Sequence, residues 1–353
     1  MKTLSALILC LSPVVALAAG PQVAVPKGYT CYRTAGPIVI DGQLDEHAWR
    51  RAEWTENFAD IEGDEKPHPR FRTRVKMLWD DVYFYVGAQL DEPHVWGTMT
   101  KRDTVIFRDN DFEVFIDPDG DNHDYCELEV NALNTVRDLL MKKPYRDGGP
   151  ALTGWDIAGL KTAVHVYGTL NDPSDVDKGW SLEIAMPWAS LGEFAHRPSP
   201  PREGDQWRVN FLRVEWTHEI VERLYRKIQG LAEDCWVWSP QGVMDMHAPE
   251  HWGYVQFTRR KPGTAVFVPD PAARARELLC QVYYAQQAFH DSTKRWASSP
   301  GELGLKIRPL DLRDYIPAIE LTPEGFVATV MLRLADGRLE RWHMRQDSLL
   351  WRE

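Results

Sequence analysis

The sequence predicts an all-β fold: an antiparallel two-sheet β-sandwich over about residues 36–258, with a small α+β extension over 264–353. Three observations carry this. Short runs alternate apolar and polar residues with a period of two, the mark of strands with one buried face. Gly, Pro and Asp turns separate the runs at short intervals, as in sandwiches rather than helical bundles. After Lys261-Pro262-Gly263 the composition shifts and a helical periodicity takes over.

Residues 73–79 begin in strict alternation, turn at Asp80-Asp81, and return over 82–88 as a β-branched and aromatic run. This predicts a hairpin. Residues 111–117 form a further strand, stopped by Pro118-Asp119-Gly120. In 125–131, Tyr125, Glu127 and Glu129 share one face, while Cys126, Leu128 and Val130 share the other. Runs at 164–168, 180–186, 207–216 and 254–257 complete the set. In the extension, Asp270-Pro271 is a helix-start signal. Leu278, Val282, Ala285 and Phe289 recur every three or four residues and build one apolar face. A β-like run follows at 325–330, and the function of 264–353 is not readable.

The first 19 residues read as a cleaved signal peptide. Lys2 supplies the positive start, 4–17 is apolar, and Ala16-Leu17-Ala18 gives the small-x-small pattern of a cleavage site. A lipid anchor at Cys10 is disfavoured by the bulky Leu9 before it. The mature protein is therefore expected to be secreted or periplasmic, with no membrane span. Cys31, Cys126, Cys235 and Cys280 remain; they permit three full disulfide pairings or stay as buried thiols. The formal net charge of -11, with acids and bases interspersed, excludes the basic face that a nucleic-acid partner requires.

Three clusters carry candidate chemistry. Asp117, Asp119, Asp121 and Asp124 place carboxylates around a Gly turn, which suits calcium. The alternative is a solvated acidic turn. Asp91, Trp96, Arg102 and Asp103 sit on a loop between strands, where charged and aromatic groups together make a ligand rim; Arg102 and Asp103 equally suit a structural ion pair. Glu113, Glu127, Glu129 and Asn131 lie on neighbouring strands, on faces that suit recognition of sugar hydroxyls. The same carboxylates could instead flank a scissile glycosidic bond. There is no nucleophile elbow, phosphate loop or zinc motif, so no catalytic residue is assigned.

In order, the chain carries Ile38-Val39-Ile40-Asp41-Gly42-Gln43-Leu44-Asp45-Glu46 with Trp49, then Leu78-Trp79-Asp80-Asp81 running into Tyr83-Phe84-Tyr85-Val86. Asp111-Phe112-Glu113-Val114-Phe115-Ile116-Asp117-Pro118 and Glu129-Val130-Asn131 follow. Gly179-Trp180-Ser181-Leu182-Glu183, Met186-Pro187-Trp188, Arg208-Val209-Asn210-Phe211 and Pro249-Glu250-His251-Trp252-Gly253 complete the series. This ordered series resembles the family 9 carbohydrate-binding modules and covers about residues 36–258.

The resemblance implies a jelly-roll sandwich with bound calcium that grips a sugar between two aromatic rings, acting in carbohydrate catabolism without a catalytic centre of its own. By motif position Asp91, Glu113 and Asn131 fall where the family's polar contacts lie. Phe107 stands near the first stacking Trp; near the second stands Met246, with Trp236, Trp238 and Trp252 close in sequence. The expected sugar site comprises Asp91, Trp96, Arg102, Asp103, Phe107, Glu113, Glu129, Asn131, Trp216 and Trp238. Two alternatives remain at this level. One is a haem b-binding electron-transfer sandwich using Met141, Met244, Met246 or His247. The other is a glycoside-processing enzyme.

Overall fold

The computed structural model describes residues 25–34, 36–305 and 316–353; the expected signal peptide lies outside them. The large sheet is built from β1 (Gly28–Arg33), β2 (Ala59–Asp60), β3 (Thr73–Trp79), β4 (Tyr83–Leu90), β5 (Asp111–Asp117), β6 (Tyr125–Asn131), β7 (Val136–Met141), β8 (Ala151–Leu152), β9 (Lys161–Val166), β10 (Trp180–Pro187) and β11 (Gln206–Glu215). A hairpin of β12 (His218–Val221) and β13 (Leu224–Lys227) then leads to β14 (Asp234–Val237) and β15 (Gly253–Thr258), which rejoin the large sheet. The two helices before the extension, α1 (His47–Arg51) and α2 (Trp188–Leu191), are short.

The strand order is β8-β7-β6-β5-β11-β15-β1-β3-β4-β10-β9, with β14 and β2 joined to β11 at its far end. The sheet curls so that its halves enclose one core, giving a sandwich-like body. It is mixed rather than antiparallel. β1 runs parallel to both β15 and β3, while the other pairs are antiparallel. Alternation specifies which side of a strand is buried and is silent on strand direction, so this difference had no sequence signal.

The core is filled by the even-numbered faces of β5 and β6, namely Phe112, Val114 and Ile116 with Cys126, Leu128 and Val130. At one end Trp79, Phe84, Trp188, Trp207 and Phe257 interlock, with ring centroids 5.4–6.2 Å apart and mostly edge-to-face. The early 38–49 segment is tied to β10 by Glu183. Its carboxylate accepts from the Asp41 and Gly42 backbone N–H groups at 2.9 and 2.8 Å, and from Trp49 Nε1 at 2.7 Å. A second buried anchor is Arg213 on β11. It contacts Glu92 at 2.7 Å and Glu215 at 2.8 Å, and lies 5.1 Å from the Trp236 ring. The described cysteines are all free.

The extension has its own core. Helix α3 (Ala273–Thr293) buries Ala275, Leu278, Leu279, Val282, Tyr283 and Gln286. These spacings place one stripe against β16 (Ala318–Thr322), β17 (Gly325–Arg333), β18 (Leu339–Arg345) and β19 (Leu350–Arg352), which form an antiparallel sheet. The helix starts two residues after Pro271, with Ala272 rather than Asp270 as its N-cap; Asp270 accepts from the Ala272 N–H through Oδ1 and from the Ala273 N–H through its carbonyl. Among the described residues no helix is long and apolar enough to cross a membrane.

Candidate functional site

The odd-numbered face of β5 and β6 points away from the main core. It carries Asp111, Glu113, Glu127 and Glu129, all 6% exposed or less. Glu113 is registered directly opposite Glu129, a like-charge pairing that a sheet ordinarily avoids. Carboxylate oxygens of Asp111, Glu113 and Glu129 lie within 4.8 Å of one another. Among the described residues, the guanidinium bonded into the group is that of Arg137 on β7, whose Nη1 donates to Glu129 at 2.6 Å. Neither oxygen of Asp111 has a hydrogen-bond partner, and Glu127 Oε2 also lacks one.

The electrostatic consequence is direct. Burial, then mutual repulsion, pushes Asp111 and Glu113 well above the usual carboxylate range, and Glu127 follows for the same reasons. Glu129 is raised by burial and pulled back by Arg137. The floor is therefore a set of carboxyl groups biased toward the protonated acid. Such groups donate as well as accept hydrogen bonds, which matches a ring of hydroxyls.

Aromatic groups border this floor. Phe107 is 37% exposed, and its backbone N–H donates to Glu129 Oε2 at 3.0 Å. Trp216 Nε1 donates to the Phe107 carbonyl at 2.8 Å, and Lys227 Nζ sits 3.7 Å from the Trp216 ring centroid. On another side the exposed Tyr145 stacks edge-on against His247, with centroids 4.6 Å apart. Its hydroxyl is raised first by partial burial and then by Glu127. His247 hydrogen-bonds the Tyr125 hydroxyl at 3.0 Å and faces Glu127 at 3.5 Å. Burial and Arg146 lower its pKa to about 4, so the ring is neutral.

Of the expected sugar-site residues, Glu113, Glu129, Phe107 and Trp216 come together here. Asn131 is fully buried and spent on structure. It donates to Met99 O and Asp109, and accepts from the Leu133 and Thr135 N–H groups. Trp238 is 1% exposed, packed at a tilt against Phe211, and so close to Gly253 that a Cβ there would lie 2.4 Å from its ring. It is a core residue. Trp96 is buried in a stack on Tyr225. Asp91 pairs with Arg72 at 3.2 Å. Arg102 binds Asp138 and, at 2.9 Å, Asp156, with Asp103 at 3.6 Å, so the ion-pair reading of that loop is the observed one. Asp111, Arg137 and Tyr145 were missed. Asp111 continues the alternation of Glu113 by one step. Arg137 lies on a strand whose 136–141 run shows no clean alternation.

The acidic turn after β5 brings Asp117, Asp119 and Asp121 oxygens within 4.8 Å of one another. Asp124 is turned aside to Lys142 and His196. Asp117 accepts from the Gly120 and Asn122 N–H groups at 2.8 and 3.0 Å, and Gly120 takes a φ of +69° that a side chain would resist. Burial and the neighbouring acids push Asp117 up to about 8, and Asp119 and Asp121 up to about 7. Hard oxygen donors gathered in this way fit a calcium ion, with Asp117, Asp119 and Asp121 as its holders.

Residues 40–197 match the model of the family described as carbohydrate family 9 binding domain-like. This stretch resembles that family. Its bounds take in the acidic floor, Phe107 and the acidic turn. Endo-1,4-beta-xylanase A of Thermotoga maritima is 27% identical over 165 residues, which is 47% of this chain and 13% of that enzyme. The match thus spans about an eighth of the enzyme's length. A family 9 carbohydrate-binding module from Caldicellulosiruptor kristjanssonii in complex with cellotriose aligns at 16% identity over 69% of this chain and 100% of its own, with a TM-score of 0.44. The module of that organism in complex with glucose aligns at 16% identity over 67% and 100%, with a TM-score of 0.43.

Proposed function

We propose that this protein is a non-catalytic carbohydrate-binding protein of carbohydrate catabolism, with its site on the acidic floor of β5 and β6. The observation that carries the reading is the pairing of buried carboxyl groups, biased toward the protonated acid, with the exposed rings of Phe107 and Tyr145 and the half-buried ring of Trp216. Apolar ring faces cover the C–H face of a sugar, while the acids and Arg137 answer its hydroxyls. The family 9 match supports this class of ligand. The haem alternative has less support: Met246 Sδ accepts from Gln241 and His247 Nδ1 is engaged by Tyr125, while Met244 is exposed.

Calcium at Asp117, Asp119 and Asp121 belongs to the same proposal, as a brace for the turn that ends β5. So does a secreted or periplasmic location, supported by the pattern of the first 19 residues. A glycan array probed with the mature chain, with and without chelator, tests the assignment. Binding to a defined set of glycans is expected, and titration of a positive oligosaccharide should weaken in Glu113→Gln. No binding to any glycan in either condition would overturn it.

A further inference from the structure

The extension does not lie flush on the sandwich. Between them is a cavity of about 310 Å³, at the opposite end of β5 and β11 from the acidic floor. Arg208, His251 and Tyr254 wall it from the sandwich, and Ala273, Cys280 and Leu350 from the extension. Arg208 is 5% exposed. Its Nε and Nη2 donate to the Pro249 carbonyl at 3.3 and 3.2 Å, Nη2 also reaches the Glu250 carbonyl, and its plane lies 4.1 Å from the Tyr254 ring centroid. Nη1 has no partner. His251 is 1% exposed, and neither ring nitrogen makes a hydrogen bond.

Two buried residues with open hydrogen-bonding capacity on one cavity are costly unless something answers them. The carboxylates nearby are already engaged. Glu250 is bound by Arg146 at 2.9 Å and by the Tyr284 hydroxyl, and Glu277 by Arg274 and Gln281. Asp117, opposite Arg208 in the β5–β11 register, accepts from the turn N–H groups. Arg276 is committed to the Gly120 carbonyl and Asp270. What remains is a guanidinium N–H and an imidazole facing an otherwise largely apolar space.

We infer that this cavity binds a small carboxylic acid with an apolar body. The carboxylate accepts from Arg208 Nη1 and from a His251 ring N–H. The body lies against Tyr254, Ala273, Cys280 and Leu350. Such a ligand touches both units at once and holds the extension against the sandwich, independently of any sugar on the acidic floor.

Calorimetric titration of the mature chain with octanoate, and in parallel with 1-octanol, tests this. Octanoate should bind at one saturable site and raise the melting temperature with concentration, because a ligand of the folded state alone stabilises by mass action. The alcohol should bind at least about tenfold more weakly, since it cannot answer the charge. Cys280→Phe, which fills the cavity, should abolish binding, and Arg208→Met should weaken it at least about tenfold. If Cys280→Phe fails to fold, Ala273→Leu obstructs the same wall from the neighbouring turn. Absence of saturable octanoate binding, equal affinity for the alcohol, or binding that survives the filled cavity would each overturn the inference. Sugar binding is read on the same samples, so its loss or survival is scored separately.

Discussion

Replacing Glu113 by Gln should make stability and ligand binding move in opposite directions. Glu113 is 4% exposed, and burial with Asp111 and Glu129 close by holds its pKa well above the ordinary 4.5. In the unfolded chain the group ionises near its ordinary value. Below that pH both states carry the proton and Glu113 contributes nothing to pH dependence. As the pH rises, the unfolded state sheds the proton first, so stability falls by up to about 1.4 kcal/mol per pH unit until the folded group also ionises. Glutamine keeps the shape and removes this penalty. Relaxation around a coupled group keeps the gain below that ceiling. The variant should therefore match the wild type near pH 5 and exceed it near pH 7 in urea denaturation. Its affinity for an oligosaccharide should drop about tenfold to hundredfold, as for loss of a charge-assisted or acid-donated hydrogen bond. A variant that is equally destabilised at both pH values would show that Glu113 is held by favourable partners as an anion, and the account of the floor would be wrong.

Other outcomes follow from the same structure. Arg213→Met strands Glu92, already pushed up to about 8 by burial and by Glu215, and should cost about 3–5 kcal/mol in urea melts. Asn131→Ala removes four structural hydrogen bonds and should lower the melting temperature clearly, rather than weaken sugar binding in an intact fold. Trp216→Ala should weaken binding by about 0.5–1.5 kcal/mol for the lost ring face, with secondary structure unchanged by circular dichroism. Added calcium should raise the melting temperature of the wild type, and Asp119→Asn should blunt that rise; an identical rise in both would place the ion elsewhere.

Much of the sheet was legible because burial on one face leaves a period of two. Residues 73–79, 111–117 and 125–131 were found this way, and the odd faces of the last two gave Glu113, Glu127 and Glu129. The helix after Asp270-Pro271 was legible because its start chemistry and its apolar stripe agree. Other features depend on distant partners. Asn131 looks like a surface amide until Asp109, Met99 and the 133–135 turn are placed around it. Trp238 reads as a platform because it is aromatic and near a loop, yet Gly253 lets it sink into the core. Phe107 and Trp216 are 109 positions apart and meet only through one backbone carbonyl. Arg137 was hidden because β7 has partners on both sides and its pattern is blurred, with Val136 and Leu140 on the main core and Leu139 and Met141 on the other.

The parallel strand β1 has a consequence for how the molecule is made. It pairs over most of its length with β15, so Gly28 meets Tyr254 and Tyr32 meets Thr258, almost the full span of the sandwich apart. Synthesis delivers one partner at the beginning and the other near the end. Until residue 258 has emerged, the 28–33 segment has only its short pairing with β3, and β11 offers an open edge where β15 belongs. An incomplete chain is then an adhesive intermediate with two exposed edges. Closure by so distant a contact is slow. β15 is then the strand that completes the large sheet and removes both open edges together.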